Sequence, residues 1–172
     1  MAVKKKSALA VILPRFKGTD MSIVIRMSAL VLPRFFNEFL KSLDEKQRSA
    51  IDKVMPVGGE KKIYIHLVDT PTPPVVVELA QPPKISTMPE KDVNQQRIKG
   101  IRLTIDDAQL LAQSPTLGNM LKFSWRLKGQ MFTMLSILWM FAPFLRLGPS
   151  GLKDMGNKLT SQSKPLLDLV AR

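Results

Sequence analysis

The sequence predicts an α+β fold in which helices come first, strands follow, and an apolar helix comes late in the chain. Apolar residues at helical spacing between Phe36 and Leu43 mark one face of a helix. Segment 63–68 alternates as a strand does, and segment 75–80 is the most β-prone run of the chain. Segment 131–145 contains no charged residue. A chain of 172 residues with 45% hydrophobic content can bury the core that such a fold needs.

Two helices are predicted before the strands. The first begins at Pro33, and the second is capped by Asp44, with Gln47 three residues later in the pattern of a capping box. The prolines that connect segments 63–68 and 75–80 make a stiff link, so we expect the two segments to pair as an antiparallel hairpin.

Strands and helices alternate in the second half of the chain. Extended segments are predicted at 84–88, 101–105 and 120–128. Asp106 stands where the cap of a helix over 107–113 belongs. The last extended segment has the clearest alternation in the chain, and it leads through Gly129 into the uncharged segment 131–145.

Composition divides the chain into three parts. Residues 1–27 are predicted to form a basic, loosely ordered N-terminal extension, residues 28–148 the folded domain, and residues 149–172 a polar tail with short helices. Lysines 4–6 and the apolar run after them imitate a secretory signal, but the run stops at Pro14 and no small-residue cleavage site follows. Together with the absence of cysteine, this predicts a cytoplasmic protein, with peripheral attachment to a membrane as a further expectation.

The chain is strongly basic, with 26 Lys and Arg against 14 Asp and Glu, a net charge of +12 and a pI near 10.2. Such a balance favours anionic partners, which include nucleic acid, phospholipid head groups and acidic proteins. No acid occurs over 108–153, where bases flank the most apolar part of the chain, and an anionic membrane attracts this combination. An ordinary solvated basic face is the alternative. The bases predicted to dock on a membrane are Lys122, Arg126, Lys128, Arg146 and Lys153.

The residues that enzymes use are scarce. The chain has one histidine, no cysteine and no glycine-rich phosphate loop, which excludes disulfides, thiolate catalysis and cysteine-based metal sites. His66 lies in a predicted strand without a neighbouring carboxylate or serine motif, and the pair Asp106 and Asp107 is explained by helix capping. We therefore predict no catalytic residue, no metal and no cofactor.

Nucleic acid is a disfavoured partner despite the charge. Phe123 and Trp125 share a strand face with Leu121 and Leu127, which argues for burial rather than for stacking on bases. No recognisable motif for RNA or DNA accompanies the basic residues.

The segment 131–145 has more apolar surface than one sheet face can cover. Gln130, Thr133 and Ser136 form a narrow polar stripe, and apolar side chains occupy the rest of the circumference. As a helix, residues 130–145 span about 24 Å, which is short of the ~30 Å hydrocarbon core of a bilayer. The cover can come from the N-terminal helices or a second subunit, from an apolar ligand to which flexible methionines adapt, or from a membrane surface.

Two stretches resemble the sterol carrier protein type two family. Residues 101–111 (IRLTIDDAQLL) are similar to that family's strand leading into an acidic-capped helix, and residues 122–131 (KFSWRLKGQM) to its last strand, glycine and apolar helix. The resemblance runs over 63–145. It implies a mainly antiparallel five-stranded sheet covered by helices, with an apolar cavity between the sheet and the C-terminal helix. Bacterial accessory proteins of ubiquinone biosynthesis use a similar domain, so an isoprenoid or quinone-like ligand is as reasonable as a fatty acid or a sterol.

The sequence thus predicts a non-enzymatic protein that binds, and transfers or presents, an apolar lipid and docks transiently on anionic membranes. The alternative is an interaction module in which segment 130–145 is the interface of a homodimer or of a complex with another protein. In the lipid-binding arrangement the strand 120–128 forms the floor of the cavity and the apolar helix forms a wall. The residues predicted to contact the lipid are Leu110, Leu111, Phe123, Trp125, Leu127, Met131, Met134, Leu135, Leu138, Met140 and Phe141.

Overall fold

The computed structural model describes residues 13–113, 125 and 128–170, with the backbone alone at 13, 110–113, 128 and 163–170. It is a mixed α+β structure, as the sequence predicts. Within these residues one sheet is formed by four strands, β1 (Lys62–Leu67), β2 (Val75–Glu78), β3 (Lys84–Thr87) and β4 (Lys99–Leu103). The helices are α1 (Ser22–Ser42), α2 (Glu45–Val54), α3 (Glu90–Gln95), α4 (Ile105–Gln113), α5 (Met131–Met140), α6 (Ala142–Leu145) and α7 (Gly148–Val170). Short 3-10 helices occupy Leu13–Phe16 and Lys128–Gln130.

The sheet is mixed, with the strand order β3-β2-β1-β4. β1 and β2 form the predicted antiparallel hairpin, in which Ile63 lies opposite Val77, and β3 continues antiparallel to β2. β4 instead runs parallel to β1, with Ile65 opposite Ile101. Antiparallel pairing therefore predominates, as expected, while the parallel pairing at one edge has no counterpart in the sequence prediction.

The fifth strand, predicted over 120–128, is not confirmed. Residues 120–124 and 126–127 lie outside the described part of the chain. Trp125 is helical and 74% exposed, and Lys128 begins a turn of 3-10 helix. On the side of β4 away from β1, the structure places α5 against the sheet. The alternating pattern places Trp125 on the inward side of a strand, whereas the structure leaves its side chain facing solvent.

One side chain caps the outer edge of β4. The amide of Gln130 accepts a hydrogen bond from the backbone N–H of Arg102 at 2.6 Å and donates one to the carbonyl oxygen of the same residue at 2.8 Å. A neighbouring strand would make the same two kinds of bond with Arg102. The side chain thereby fixes the start of α5 beside the sheet.

The helical core lies where α1, α2, α6 and α7 meet. Its buried centre is made of four apolar side chains from α1, from the residue that ends it and from α2: Phe36, Phe39, Leu43 and Ile51. Phe144 of α6 and Met155 of α7 pack against them. The helix face predicted between Phe36 and Leu43 is thus confirmed as core.

Gln47 both caps α2 and joins it to α7. The Asp44 carboxylate accepts a hydrogen bond from the Gln47 backbone N–H at 2.8 Å, and the Gln47 side-chain oxygen accepts one from the Asp44 N–H, which confirms the predicted capping box. The buried Gln47 amide also donates to Asp154 at 2.9 Å and accepts from the Lys158 ammonium at 3.0 Å. The hydrogen bond from Lys158, and secondly that from Gln47, hold the pKa of Asp154 below its ordinary range.

The cap of α4 differs from the predicted one. The helix begins at Ile105, and its cap is Thr104 rather than Asp106. The Thr104 hydroxyl accepts a hydrogen bond from the Asp107 N–H at 3.1 Å, and the Asp107 carboxylate accepts one from the Thr104 N–H at 3.1 Å. Asp106 is exposed and pairs with Lys17 at 3.4 Å. Thr104 and Asp106 are both residue types that commonly cap helices and stand two positions apart, so the sequence pattern alone did not identify the cap.

A continuous helix crosses each of the two predicted boundaries, after residue 27 and after residue 148. α1 begins at Ser22 and runs without interruption past residue 27, and Pro33, predicted as a helix start, lies inside it. α7 is one helix where two short helices were expected in the tail, and it contacts α1 and α6. The segments 22–27 and 149–170 are therefore continuous with the packed helices.

Candidate functional site

α5 lies against the sheet with its polar stripe. Gln130, directly before the helix, is bonded to Arg102, and Ser136 accepts a hydrogen bond from the ammonium of Lys99 at 2.8 Å. Met134, between them, packs against Leu103 of β4. The contacts to β4 therefore involve the side of α5 that carries the few polar residues, and the opposite side is left to solvent.

The outer side of α5 is a continuous apolar face. Its members lie one, four, seven and eight positions after Met131, which at 100° per residue places them within about 120° of the circumference. Phe132 is 91% exposed, Trp139 81% and Leu135 54%. A contiguous exposed apolar surface marks contact with a membrane, a protein or a ligand. We call this surface the α5 face: Met131, Phe132, Leu135, Leu138 and Trp139.

The first half of α1 carries a second face with the same spacing. It begins at Ile23 and ends at Val31, two residues before Pro33. This face was not predicted, because the helix predicted from the sequence began at Pro33. Its apolar residues follow Ile23 by one, four, seven and eight positions, and this spacing is the signal that would have revealed it. We call this surface the α1 face: Ile23, Val24, Met27, Leu30 and Val31.

The residues predicted to form the wall of the lipid cavity lie in different environments in the structure. Met131, Leu135 and Leu138 are exposed on the α5 face, and Met134 lies against the sheet. Met140 is half-buried beside a groove at the end of the sheet. Phe141 is half-buried, and its ring stacks on that of Phe144 with the centroids 6.1 Å apart. These six residues are neighbours along the chain, but they do not converge on one enclosed cavity.

The predicted floor of the cavity falls mostly outside the described residues. This holds for Phe123 and Leu127 and for the side chains of Leu110 and Leu111. Trp125 is described, and its 74% exposure is not that of a cavity floor.

Two of the five predicted membrane-docking bases are seen with their side chains. Arg146 directly follows α6, Lys153 lies on α7, and both are exposed. Lys128 is described by its backbone alone, and Lys122 and Arg126 lie outside the described residues.

The described residues offer no grouping of His, Asp and Glu that could hold a metal ion. His66 is half-buried on β1, and its Nδ1 atom is buried without a hydrogen-bond partner. Among the described helices, none is both long and apolar enough to cross a bilayer.

No protein-family model matches the chain, and no characterised protein or solved structure is significantly similar to it. The resemblance to the sterol carrier protein type two family stays a prediction.

Proposed function

We propose that this protein binds the surface of anionic membranes peripherally, with the α5 face in contact with the lipid. The observation that carries the proposal is the exposure of Phe132 and Trp139 on the same side of one helix. Tryptophan favours the boundary between head groups and acyl chains, and burial of one large apolar side chain such as that of Phe132 is worth about 1.5–3 kcal/mol. Five such side chains on one face support reversible attachment of a helix that lies in the plane of the surface.

The charge of the chain supports the same proposal. No Asp or Glu occurs over 108–153, so this part of the sequence has no carboxylate to be repelled by lipid phosphates. Arg146 and Lys153 follow α5 and are exposed. Each base held near an anionic membrane contributes about 1 kcal/mol, and salt screens that contribution.

Carriage of an apolar lipid is the wider form of the proposal. The α5 face offers surface on which an acyl or isoprenoid chain can lie, with about 0.8 kcal/mol for each methylene removed from water. Native mass spectra of the freshly purified protein test this form, because a lipid that copurifies in stoichiometric amount identifies both the activity and the lipid class.

Cosedimentation with lipid vesicles tests membrane binding. We expect binding to phosphatidylcholine vesicles that contain phosphatidylglycerol, weaker binding to phosphatidylcholine alone, and weaker binding as salt is added. Phe132→Glu should weaken binding strongly because it places a charge in the middle of the contact. Val57→Glu is the matched control, since Val57 is also a largely exposed apolar residue and lies in the loop after α2, away from the α5 face. Equal binding by the two variants would contradict the proposal.

Tryptophan fluorescence locates the contact. The chain has two tryptophans, Trp125 and Trp139, so Trp125→Phe leaves a single reporter on the α5 face. We expect its emission to shift to shorter wavelength when anionic vesicles are added. An unchanged spectrum in a sample that cosediments would place the contact elsewhere on the protein.

The second candidate function is association with protein through the same surface. The observation that favours it is the α1 face, which repeats the spacing of the α5 face and gives one chain two apolar helix faces. Light scattering in the absence of lipid distinguishes the candidates. A stable dimer that Phe132→Glu dissociates would favour an interface, whereas a monomer favours the membrane.

A further inference from the structure

A basic groove lies at the end of the sheet where β1 and β4 begin and β2 ends. Its volume is about 640 Å³. Lys61 and Lys62 reach it from the start of β1, and Arg97 and Lys99 from the turn before β4 and its first residue. The parallel pairing of β1 and β4 brings these positions together, because Ile63 lies opposite Lys99.

Few carboxylates balance the charge of the four cations of the groove. Of its two carboxylates, Glu78 already pairs with Lys84 at 2.9 Å, which leaves Glu60. Among the described residues, none of the four cations forms an ion pair within 4.0 Å. Neighbouring like charges repel one another, and an anion bound between them relieves that repulsion.

The backbone holds one of these cations in an uncommon conformation. Arg97 has a φ of 52°, in the left-handed region that residues other than glycine seldom occupy. Its N–H donates to the Asn94 carbonyl at 3.1 Å, and the next N–H, of Ile98, donates to the Val93 carbonyl at 3.1 Å. This tight turn ends α3 and places Arg97 at the mouth of the groove, directly before β4.

The groove is connected to the proposed membrane contact. Met140, the last residue of α5, lines it, and the Lys99 ammonium spans from β4 to the Ser136 hydroxyl in the middle of the same helix. Met140 is 100° further around the helix than Trp139, on the side that faces the sheet, whereas the α5 face is on the opposite side. A lipid whose head group is in the groove therefore reaches the α5 face around the C-terminal end of the helix, past Trp139.

We propose that the groove binds the phosphate monoester head group of an anionic lipid, whose acyl chains lie along the α5 face. A monoester suits it because such a group carries up to two negative charges and three acceptor oxygens, which several cations can bind together. The proposal rests on the membrane binding proposed above. It adds that the protein distinguishes phosphate monoesters from the singly charged diesters of other anionic lipids.

The test compares vesicles of phosphatidylcholine that contain either phosphatidic acid, a monoester, or the same fraction of phosphatidylglycerol, a diester. We expect the unmodified protein to prefer phosphatidic acid. The double variant Lys62→Gln, Arg97→Gln should lose about tenfold in affinity for phosphatidic acid and with it the preference. The matched control is Lys46→Gln, Lys91→Gln, which removes the same charge from exposed positions outside the groove and should keep the preference.

Titrations with inorganic phosphate and with glycerol 3-phosphate show whether the groove binds a soluble phosphate or only a lipid head group. Together with the vesicle experiments, they test membrane binding and phosphate binding by the groove separately. Equal affinity for the two kinds of anionic vesicle would overturn the groove proposal and leave membrane binding intact. If neither vesicle binds, the membrane proposal fails. If glycerol 3-phosphate then binds and its binding depends on Arg97, the groove is a site for soluble phosphates, and the proposal of a lipid head group is overturned. No binding of any probe would overturn both proposals.

Discussion

The α5 face and the α1 face share one spacing and one angular width, but their chemistry differs. The α5 face has two aromatic residues and lies in the segment 131–145, which has no charge. The α1 face is aliphatic, and the exposed Arg26 and Arg34 border it. Insertion of α1 into hydrocarbon would bring these guanidinium groups towards the lipid, whereas at the level of the head groups they stay hydrated.

The two helices also differ in how the fold holds them. α1 lies against β3 and α7, and its second half buries Phe36 and Phe39 in the core. α5 is held to β4 by bonds of Gln130 and Ser136 as well as by Met134. The exposed side of a helix therefore depends on which of its polar and apolar groups the neighbouring element can bond or bury. The edge of a strand bonds polar side chains, so the apolar side of α5 is exposed.

Substitutions in the two halves of α1 should differ most strongly in how far they lower the free energy of unfolding. Phe39→Ala should lower the free energy of unfolding by about 3–5 kcal/mol, because it leaves a cavity in the helical core. Leu30→Ala, on the α1 face, should change it by no more than about 0.5 kcal/mol. Urea unfolding measures both. A loss of several kcal/mol at Leu30 would show that a partner, such as a second copy, covers the α1 face in solution.

The next effect compares the faces on a membrane. Leu138→Glu removes apolar contact and adds repulsion, together about 2 kcal/mol, so the affinity for anionic vesicles should fall by about thirtyfold. Leu30→Glu places the same charge at the corresponding position of the α1 face and should weaken binding by less than about threefold. Vesicle titrations give both values. The reverse order would transfer the membrane contact to α1.

A smaller effect concerns the attachment of α5. Gln130→Ala removes both hydrogen bonds to Arg102, and because water can replace them at this exposed site, we expect a loss of about 1 kcal/mol in urea unfolding. Gln95→Ala, at the exposed end of α3, is the control and should be nearly neutral. If the two variants behave alike, the packing of Met134 rather than the amide holds α5 in place.

The smallest expected effect is a dependence on pH at the contact between α2 and α7. The pKa of Asp154 is lowered in the folded protein, first by Lys158 and then by Gln47. A lowered pKa contributes stability above the ordinary range of an aspartate, and this stability is lost as the pH falls through the folded value. Asp154→Asn should therefore destabilise the protein at neutral pH and have no such effect in strong acid. A difference that is constant over pH would mean that the charge of Asp154 is not involved.

The sequence predicted the parts of the fold that local patterns determine. The capping box of Asp44 and Gln47, the core face ending at Leu43 and the hairpin of β1 and β2 each depend on residues close together in the chain. The parallel pairing of β4 with β1 does not, because strands β2 and β3 and helix α3 intervene. No local pattern specifies that pairing.

The sequence predicted which residues form the apolar helix of the candidate site, but not which side of that helix faces the sheet. Segment 131–145 was correctly identified as helical and unusually apolar, with a polar stripe that includes Ser136, but the single helix predicted over it is divided at Phe141 into α5 and α6. Which side of that helix faces the sheet depends on the free backbone groups of Arg102, almost thirty residues earlier. The basic groove was missed for the same reason, since Lys62 and Arg97 become neighbours only through the sheet.

The Gln130 amide also affects whether the sheet of this protein can pair with a strand of another copy. A strand edge with unpaired N–H and C=O groups is a template on which another strand can grow, and β4 is such an edge. Gln130 occupies the two groups of Arg102 in the middle of β4, and a second molecule cannot extend the sheet there without displacing it. Gln130 thereby opposes edge-to-edge pairing through β4, which is one of the two edge strands of the described sheet.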